Sequence, residues 1–478
     1  MESDQTRAVA SWHLGGTFAI VLTAVATSAV YASIECRGLY QDGAYYLYRI
    51  AEREGFYLFD PARATVQAMR QAPVVLLTRF GHFSLVERAQ AFSLAMLLIP
   101  VLMCALCWFI VPVGRKAWTL FPVLHLLIGV SSTSFNAVGE ATIATSYFWL
   151  LLLLLIFRSR HVLSQVLFLL LCIPAMFLHE GAFLLTLVLL FACAMRVRYA
   201  QGFQEHVFLL FSAGLLVAIF IYELGWVIEP RIPGGRETEF RALYRLEFLV
   251  SEGRVNLPVV TGTLAFCALA VIVIAQMKVP AFARAWSEFV GMAFVLFALS
   301  AVAIAWLIEP SFAPRAQVLA RYHPVYVSTV LGVAAVTLAR RGVLERLPLK
   351  VCCLLIVIPL CCAQIAADVV ATGRWRSYLI DLQSRLATQS GLISWQSTLT
   401  TGDARRDLDW ELMNADWVIP MMSIIFARAG IVRAMIDLPP EMTFRPLDPK
   451  KPGALPRLRG IDYGPYRRAL ASQPTDDR

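Results

Sequence analysis

Long apolar runs restrict what this chain can fold into more than any other feature of the sequence. About eleven runs approach the length of roughly 20 residues that crosses a bilayer core of about 30 Å. The runs cover residues 12–34, 89–111, 118–135, 141–157, 162–178, 181–195, 207–224, 258–277, 289–307, 324–338 and 351–370. We therefore predict an all-α polytopic membrane protein with about eleven transmembrane helices, within a range of ten to thirteen.

The composition favours the same class. Of the 478 residues, 58% are hydrophobic and 16% are charged, whereas a soluble domain has about 25% charged residues. The net charge of +9 would suggest a nucleic-acid partner in a soluble protein. Much of the surplus is accounted for by basic residues in one set of short loops between apolar runs, so it indicates membrane topology instead, and we predict no nucleic-acid partner.

Basic residues are unevenly divided between the two sets of short loops. One set contains twelve: Arg115, Lys116, Arg158, Arg160, Arg196, Arg198, Lys278, Arg284, Arg340, Arg341, Arg346 and Lys350. The other set contains Arg315 and Arg321. Because loops rich in Lys and Arg stay in the cytoplasm, we expect a multi-pass protein of a bacterial-type inner (plasma) membrane, with a cytoplasmic N-terminus.

Three longer segments lie on the predicted outer side. The first outer loop, 35–88, contains amphipathic pieces at 44–54 and 61–71, which are typical of helices lying flat at a membrane interface. A second long outer loop covers 225–257. We predict a transmembrane domain over 1–370, followed by a small extracytoplasmic domain over 371–478.

An acidic residue follows the first apolar run by only a few residues. Asp42 lies in the segment Glu-Cys-Arg-Gly-Leu-Tyr-Gln-Asp-Gly-Ala-Tyr-Tyr, residues 35–46. A carboxylate at the lipid–water boundary can accept a proton from an acceptor hydroxyl, as a general base does. The same residue also fits a structural role at the start of a helix, and the two roles are compatible.

These features together resemble the integral-membrane GT-C glycosyltransferases of the protein mannosyltransferase and aminoarabinose transferase type. The likeness comprises the first span, Asp42 with the tyrosines after it, a segment centred on Pro73, and Glu87-Arg88 at the second span. It implies transfer of a sugar from a polyprenyl-phosphate or polyprenyl-diphosphate donor outside the cytoplasm, with an acidic residue of the first outer loop as base. Many relatives have adjacent acidic residues where this chain has Asp42-Gly43, so a divalent cation is left open as a cofactor.

Two further outer turns carry candidate catalytic groups. Glu140 lies between the third and fourth runs, and His179-Glu180 interrupts a longer apolar stretch. These groups could position an acceptor, act as a second acid or base, bind a metal together with Asp42 or relay protons. A carboxylate that stabilises the N-terminus of a helix is the structural alternative.

Phosphate binding needs fixed positive charge on the same side of the membrane. We predict that Arg315, Arg321 and His323 contribute it, together with Arg241 and Arg245 of the second long loop. The alternative is that the arginines only contact lipid headgroups.

Other functions stay open at this point. A polysaccharide polymerase or ligase would use polyprenyl-linked glycans as well, and would depend more on the loop 225–257. A transporter or lipid flippase would need polar or broken helices near the middle of the bilayer. A membrane-anchored scaffold would work through residues 371–478. The expected partners are a polyprenyl-linked sugar donor and membrane lipids.

Overall fold

In a computed structural model of the chain, most of the described residues are helical. The described residues are 2–40, 42–131, 140–228, 250–251, 254–255, 317–339, 353–394, 418–438, 447–451 and 455–472. The chain divides into two compact units, each made of three segments. Unit 1 consists of Met1–Ala26, Asp60–Val66 and Ile99–Ile365, and unit 2 of Thr27–Phe59, Gln67–Leu98 and Ala366–Arg478.

The α-helices are numbered here in chain order. They are α1 (Glu2–Ile34), α2 (Asp42–Arg53), α3 (Ala64–Phe80), α4 (Leu85–Ile110), α5 (Leu120–Leu124), α6 (Glu140–Arg158), α7 (Val162–Ala175), α8 (Phe183–Val197), α9 (Phe203–Ile228), α10 (Gln317–Ala339), α11 (Ile358–Thr388), α12 (Ile419–Ile425) and α13 (Gly464–Ser472).

Within the described residues, four helical segments are long and apolar enough to cross a membrane. They are Leu14–Ile34, Leu85–Ile110, Glu140–Arg158 and Phe203–Trp226. Val162–Ala175, Phe183–Val197 and His323–Leu338 are shorter apolar helices. The predicted membrane class is supported, whereas the count of eleven transmembrane helices is not confirmed. The runs 258–277 and 289–307 lie outside the described residues.

The predicted span 118–135 is not one continuous helix. Its described part consists of a 3-10 helix, Val113–Thr119, then α5, then a π-helix, His125–Val130. Pro122 in α5 has no N–H to donate, which weakens regular helical bonding. A Cβ atom on Gly129 would lie 2.8 Å from Nδ1 of His125, so the wide π-turn is filled by the imidazole ring.

Helix α3 extends beyond the amphipathic piece that we predicted to end at residue 71. It includes Pro73 and ends at Phe80, next to Gly81. The two predicted interfacial pieces correspond to α2 and to the beginning of α3. Pro inside a helix is tolerated where neighbouring groups satisfy the freed backbone carbonyl.

The chain around residue 370, where we predicted the boundary between the two domains, is helical. Helix α11 follows a π-helix, Cys353–Val357, and runs through the predicted domain boundary to Thr388. Residues Ala366–Arg478 belong to the same compact unit as most of the first outer loop.

Four short strands add to the predicted all-α architecture. β1 (Val250–Ser251) pairs with β2 (Arg254–Val255) in antiparallel orientation. In unit 2, β3 (Gly391–Ile393) pairs in parallel with β4 (Ala434–Ile436). Strands of two or three residues are too short to produce the alternating pattern by which a strand is recognised in a sequence.

Among the described residues, the basic loops that follow α4, α6 and α8 meet at one end of the helices of unit 1, here called the basic end. Arg158, in the last turn of α6, donates from Nε to the carbonyl of Ile110 at the end of α4, at 2.8 Å. Glu205, in the first turn of α9, accepts hydrogen bonds from several groups that lie near the ends of α6, α8 and α9. They are Ser159 Oγ, Arg160 Nε, Arg196 Nη2 and Gln201 N.

Candidate functional site

Asp42 lies in the first turn of α2 and is half-buried. A carboxylate at this position is favourably placed relative to the helix dipole. The backbone before it is tightly packed, because a Cβ on Gly43 would lie 1.8 Å from the carbonyl oxygen of Gly38. Gly38 is itself held by α4, since its N–H donates to Ser93 Oγ at 3.0 Å. The start of α2 is therefore fixed within unit 2 by backbone contacts that only glycine allows.

Aromatic and cationic side chains continue along α2. The hydroxyl groups of Tyr45 and Tyr57 are 3.0 Å apart, and the Arg49 guanidinium lies 5.2 Å from the centre of the Tyr45 ring. Burial, followed by the hydrogen bond with Tyr45, raises the pKa of Tyr57 to about 12. The Tyr57 hydroxyl consequently stays protonated at neutral pH and does not act as a base.

Glu140 lies at the other end of unit 1 from the basic end. The end that contains Glu140 is here called the acidic end. It occupies the first turn of α6, and its Oε2 accepts a 2.6 Å hydrogen bond from Nη1 of Arg63. Asp60 lies 3.4 Å from Nε of the same arginine and begins the 3-10 helix Pro61–Arg63. These three side chains are mostly buried, with exposed fractions of 4–15%. The predicted stabilisation of a helix N-terminus by Glu140 is thus combined with an ion pair.

The turn that contains His179 contacts residues 60–66, the short segment that also includes Asp60 and Arg63. The N–H of Thr65 donates to the carbonyl of Phe177 at 3.0 Å. His179 is buried, and its Nδ1 accepts the N–H of Gly181 at 3.0 Å, which assigns the proton of the neutral ring to Nε2. Glu180 begins the 3-10 helix Glu180–Ala182. Residues 60–66 therefore contact both turns that the sequence singled out in unit 1.

A third group at this end was missed by the sequence prediction. Glu223 is 3% exposed, and its Oε2 accepts a 2.8 Å hydrogen bond from Thr186 Oγ1. Its neighbour Tyr222 packs against Phe177 with ring centres 5.6 Å apart, which brings this part of α9 to the His179 turn. The signal was a lone carboxylate inside the apolar run 207–224, a position where ionisable groups are rare.

The predicted catalytic residues are divided between the two units. Glu140, His179 and Glu180 belong to unit 1, and Asp42 belongs to unit 2. The acidic end of unit 1 brings together carboxylate, imidazole and guanidinium groups that can accept, donate and hold a proton. No cluster of three or more His, Cys, Asp or Glu residues suitable for a metal ion occurs among the described residues.

Of the predicted phosphate-binding residues, two lie in the described structure and three lie outside it. His323 is buried inside α10, and its Nε2 donates to the carbonyl of Ile128 at 3.0 Å, so its ring joins α10 to the π-helix. Arg321 also lies within α10 rather than in a loop. Arg241, Arg245 and Arg315 lie outside the described residues.

Comparison of the chain with protein-family models, with curated proteins and with solved structures finds no match.

Proposed function

We propose that this protein is a membrane glycosyltransferase that moves a sugar from a polyprenyl-phosphate or polyprenyl-diphosphate donor to an acceptor on the extracytoplasmic face. The observation that carries the proposal is the position of Asp42. It is a half-buried carboxylate at a rigid helix start, only a few residues after the end of the candidate span Leu14–Ile34. That position suits a reaction between a lipid-linked donor and an acceptor at the membrane surface.

In the proposed reaction, the acceptor hydroxyl oxygen forms a bond to the anomeric carbon of the sugar. The bond between that carbon and the phosphate oxygen breaks, and the polyprenyl phosphate leaves with the electron pair. Asp42 takes the proton of the acceptor hydroxyl, which is the role of a general base. Cationic groups on the same side of the membrane stabilise the departing phosphate.

The test is a transfer assay with the purified full-length protein. The probes are radiolabelled polyprenyl-phosphate hexoses and pentoses, with lipid and polysaccharide extracts of the cell envelope as acceptors. Asp42→Asn should reduce transfer by about a hundredfold or more, the usual contribution of a general base. Glu52→Gln is the matched control, because Glu52 lies on the same helix and pairs with Arg49 at 2.7 Å.

Both variants are compared with the wild type in thermal unfolding, so that loss of activity is separated from loss of fold. Undiminished transfer by Asp42→Asn would overturn the role of this residue. A wild-type protein that consumes none of the donors would overturn the function. Long glycan products instead of single transfers would favour the polymerase or ligase alternative.

A transporter or lipid flippase is the second candidate, and one observation favours it. The segment 113–130 changes from 3-10 to α to π-helix, and buried His125 lies there with its Nδ1 2.9 Å from Ser328 Oγ. Broken helices with buried polar groups are typical of transport sites. If transport is the function, His125→Asn should abolish movement of a fluorescent polyprenyl-phosphate lipid across the membrane of proteoliposomes. If sugar transfer is the function, the same variant should keep normal transfer.

A further inference from the structure

A basic groove lies within unit 2. Its volume is about 1200 Å³, and its walls come from the loop before α4, the end of α11, the segment after α12 and the turn at 459–461. Five cationic or titratable basic side chains line it: His82, Arg88, Arg428, Arg433 and Arg459. The carboxylate that lines it belongs to Glu87.

The Glu87 carboxylate is already engaged in its own helix cap. Its Oε2 accepts hydrogen bonds from the backbone N–H and the hydroxyl of Ser84, at 2.7 and 2.9 Å. Such a pair of contacts satisfies the first turn of α4. The groove therefore retains a strong excess of positive charge, which favours an anion.

Arg88 provides an independent indication of a ligand. It is 5% exposed, and its Nε is buried without a hydrogen-bond partner among the described residues. Arg459 repels Arg88, and neither of the carboxylates that act on it, Glu54 and Glu87, forms an ion pair with it among the described residues. Burying part of a guanidinium without such a partner is unfavourable, and together with the positive charge of the groove it makes an anion the expected ligand.

The position of the groove indicates what kind of anion. Arg88 lies in the first turn of the candidate span Leu85–Ile110, and the ends of spanning helices lie at the level of lipid headgroups. Apolar residues line the same groove: Phe83, Ile380 and Ile431 are 40%, 56% and 38% exposed. A ligand with both a phosphate and an acyl chain matches the combined surface.

From these observations we infer that the groove binds the headgroup of an anionic glycerophospholipid and so holds unit 2 on the bilayer surface. The inference goes beyond the proposed function, because it concerns a lipid of the surrounding membrane rather than a sugar donor. Arg428, Arg433 and Arg459 attract the phosphate, Arg88 contacts it, and Phe83 with Ile431 lies beside the acyl chains.

The test is lipid titration of the full-length protein in neutral detergent, followed by native mass spectrometry. The probes are dioleoylphosphatidylglycerol, dioleoylphosphatidylcholine with the same chains but no net charge, and glycerol 1-phosphate without chains. Each arginine near a membrane surface contributes about fivefold to anionic-lipid binding. The exposed pair Arg428→Ala with Arg433→Ala should therefore weaken phosphatidylglycerol binding by about 25-fold.

The matched control is Arg457→Ala with Arg468→Ala, two exposed arginines of unit 2 that do not line the groove. This control pair should change phosphatidylglycerol binding less than twofold. A larger loss in the groove pair than in the control pair is expected if the groove binds the lipid, but not if the lipid responds only to total charge. Arg88→Gln should weaken binding as well, with thermal unfolding as the check on its fold.

Two results would overturn the inference. Equal loss in the groove pair and the control pair would mean that the lipid responds only to total charge. Equal affinity for glycerol 1-phosphate and phosphatidylglycerol would mean that the groove takes a soluble phosphate compound. Failure of this test leaves the sugar-transfer assay unaffected, so the two proposals are judged separately.

Discussion

Glu205 and Glu223 lie near opposite ends of the same helix, α9, and each is 3% exposed. Glu205 accepts hydrogen bonds from two arginines, a serine and a backbone N–H. Glu223 accepts one from Thr186, and in the described part of the chain no Lys or Arg pairs with it. Within the described residues, the Glu205 carboxylate is therefore surrounded by cationic and hydrogen-bonding partners, whereas the Glu223 carboxylate has one hydroxyl partner.

The difference distinguishes a structural end of unit 1 from a candidate functional end. Around Glu205, charges of opposite sign connect the ends of α6, α8 and α9. These contacts are explained by structural stabilisation alone. A buried carboxylate with a single hydroxyl partner is costly, and ionisable groups in such positions are usually kept for function. Glu223 also lies on the side where Glu140 and His179 are found.

The largest expected effect on stability is at the basic end. Glu205→Gln removes the charge between Arg160 and Arg196, and we expect the free energy of unfolding to fall by about 3 kcal/mol. Denaturant unfolding of the purified protein measures it. Glu52→Gln, which breaks the half-exposed pair with Arg49, is the control and should cost less than about 1 kcal/mol. Similar small losses in both variants would remove the distinction between the two ends.

A smaller effect is expected for the ion pair at the acidic end. A double-mutant cycle of Arg63→Gln and Glu140→Gln should give a coupling energy of about 1.5 kcal/mol, because the pair is mostly buried and has one short hydrogen bond. The same cycle on Arg49 and Glu52 should give less than about 0.5 kcal/mol. If the first coupling is no larger than the second, Glu140 is not held by Arg63 in solution.

The sequence predicted local features of these ends better than their partners. Glu140 and His179 were identified because each interrupts apolar sequence at a turn, which is a local signal. The partner of Glu140 could not be identified in this way, because Arg63 is 77 positions away and many arginines compete for that role. Glu223 was overlooked since a single carboxylate hardly changes the hydropathy of a long run.

The fold shows the same limit. Helix α2 was predicted within two residues at its start, because the amphipathic pattern and Gly43 mark it clearly. The region 118–130 was predicted as part of one span, because apolar content does not distinguish an α-helix from the π-helix that accommodates His125. Likewise, the continuation of α11 beyond residue 370 depends on packing within unit 2, such as buried Trp375, whose Nε1 donates to the carbonyl of Glu35 at 2.8 Å.

The two carboxylates of α9 lead to one claim: Glu205 stabilises the basic end of unit 1, whereas Glu223 does not stabilise the acidic end and, we propose, is kept for function. The direct test is Glu223→Gln measured beside Glu205→Gln, with both sugar transfer per folded molecule and the free energy of unfolding as readouts. Because the mutation removes a buried carboxylate that pairs with no Lys or Arg of the described residues, we predict that Glu223→Gln does not lower the free energy of unfolding and that it lowers transfer per folded molecule. Glu205→Gln should show the reverse, with lower stability and normal transfer per folded molecule. A Glu223→Gln protein with normal transfer and the larger loss of stability would contradict the claim.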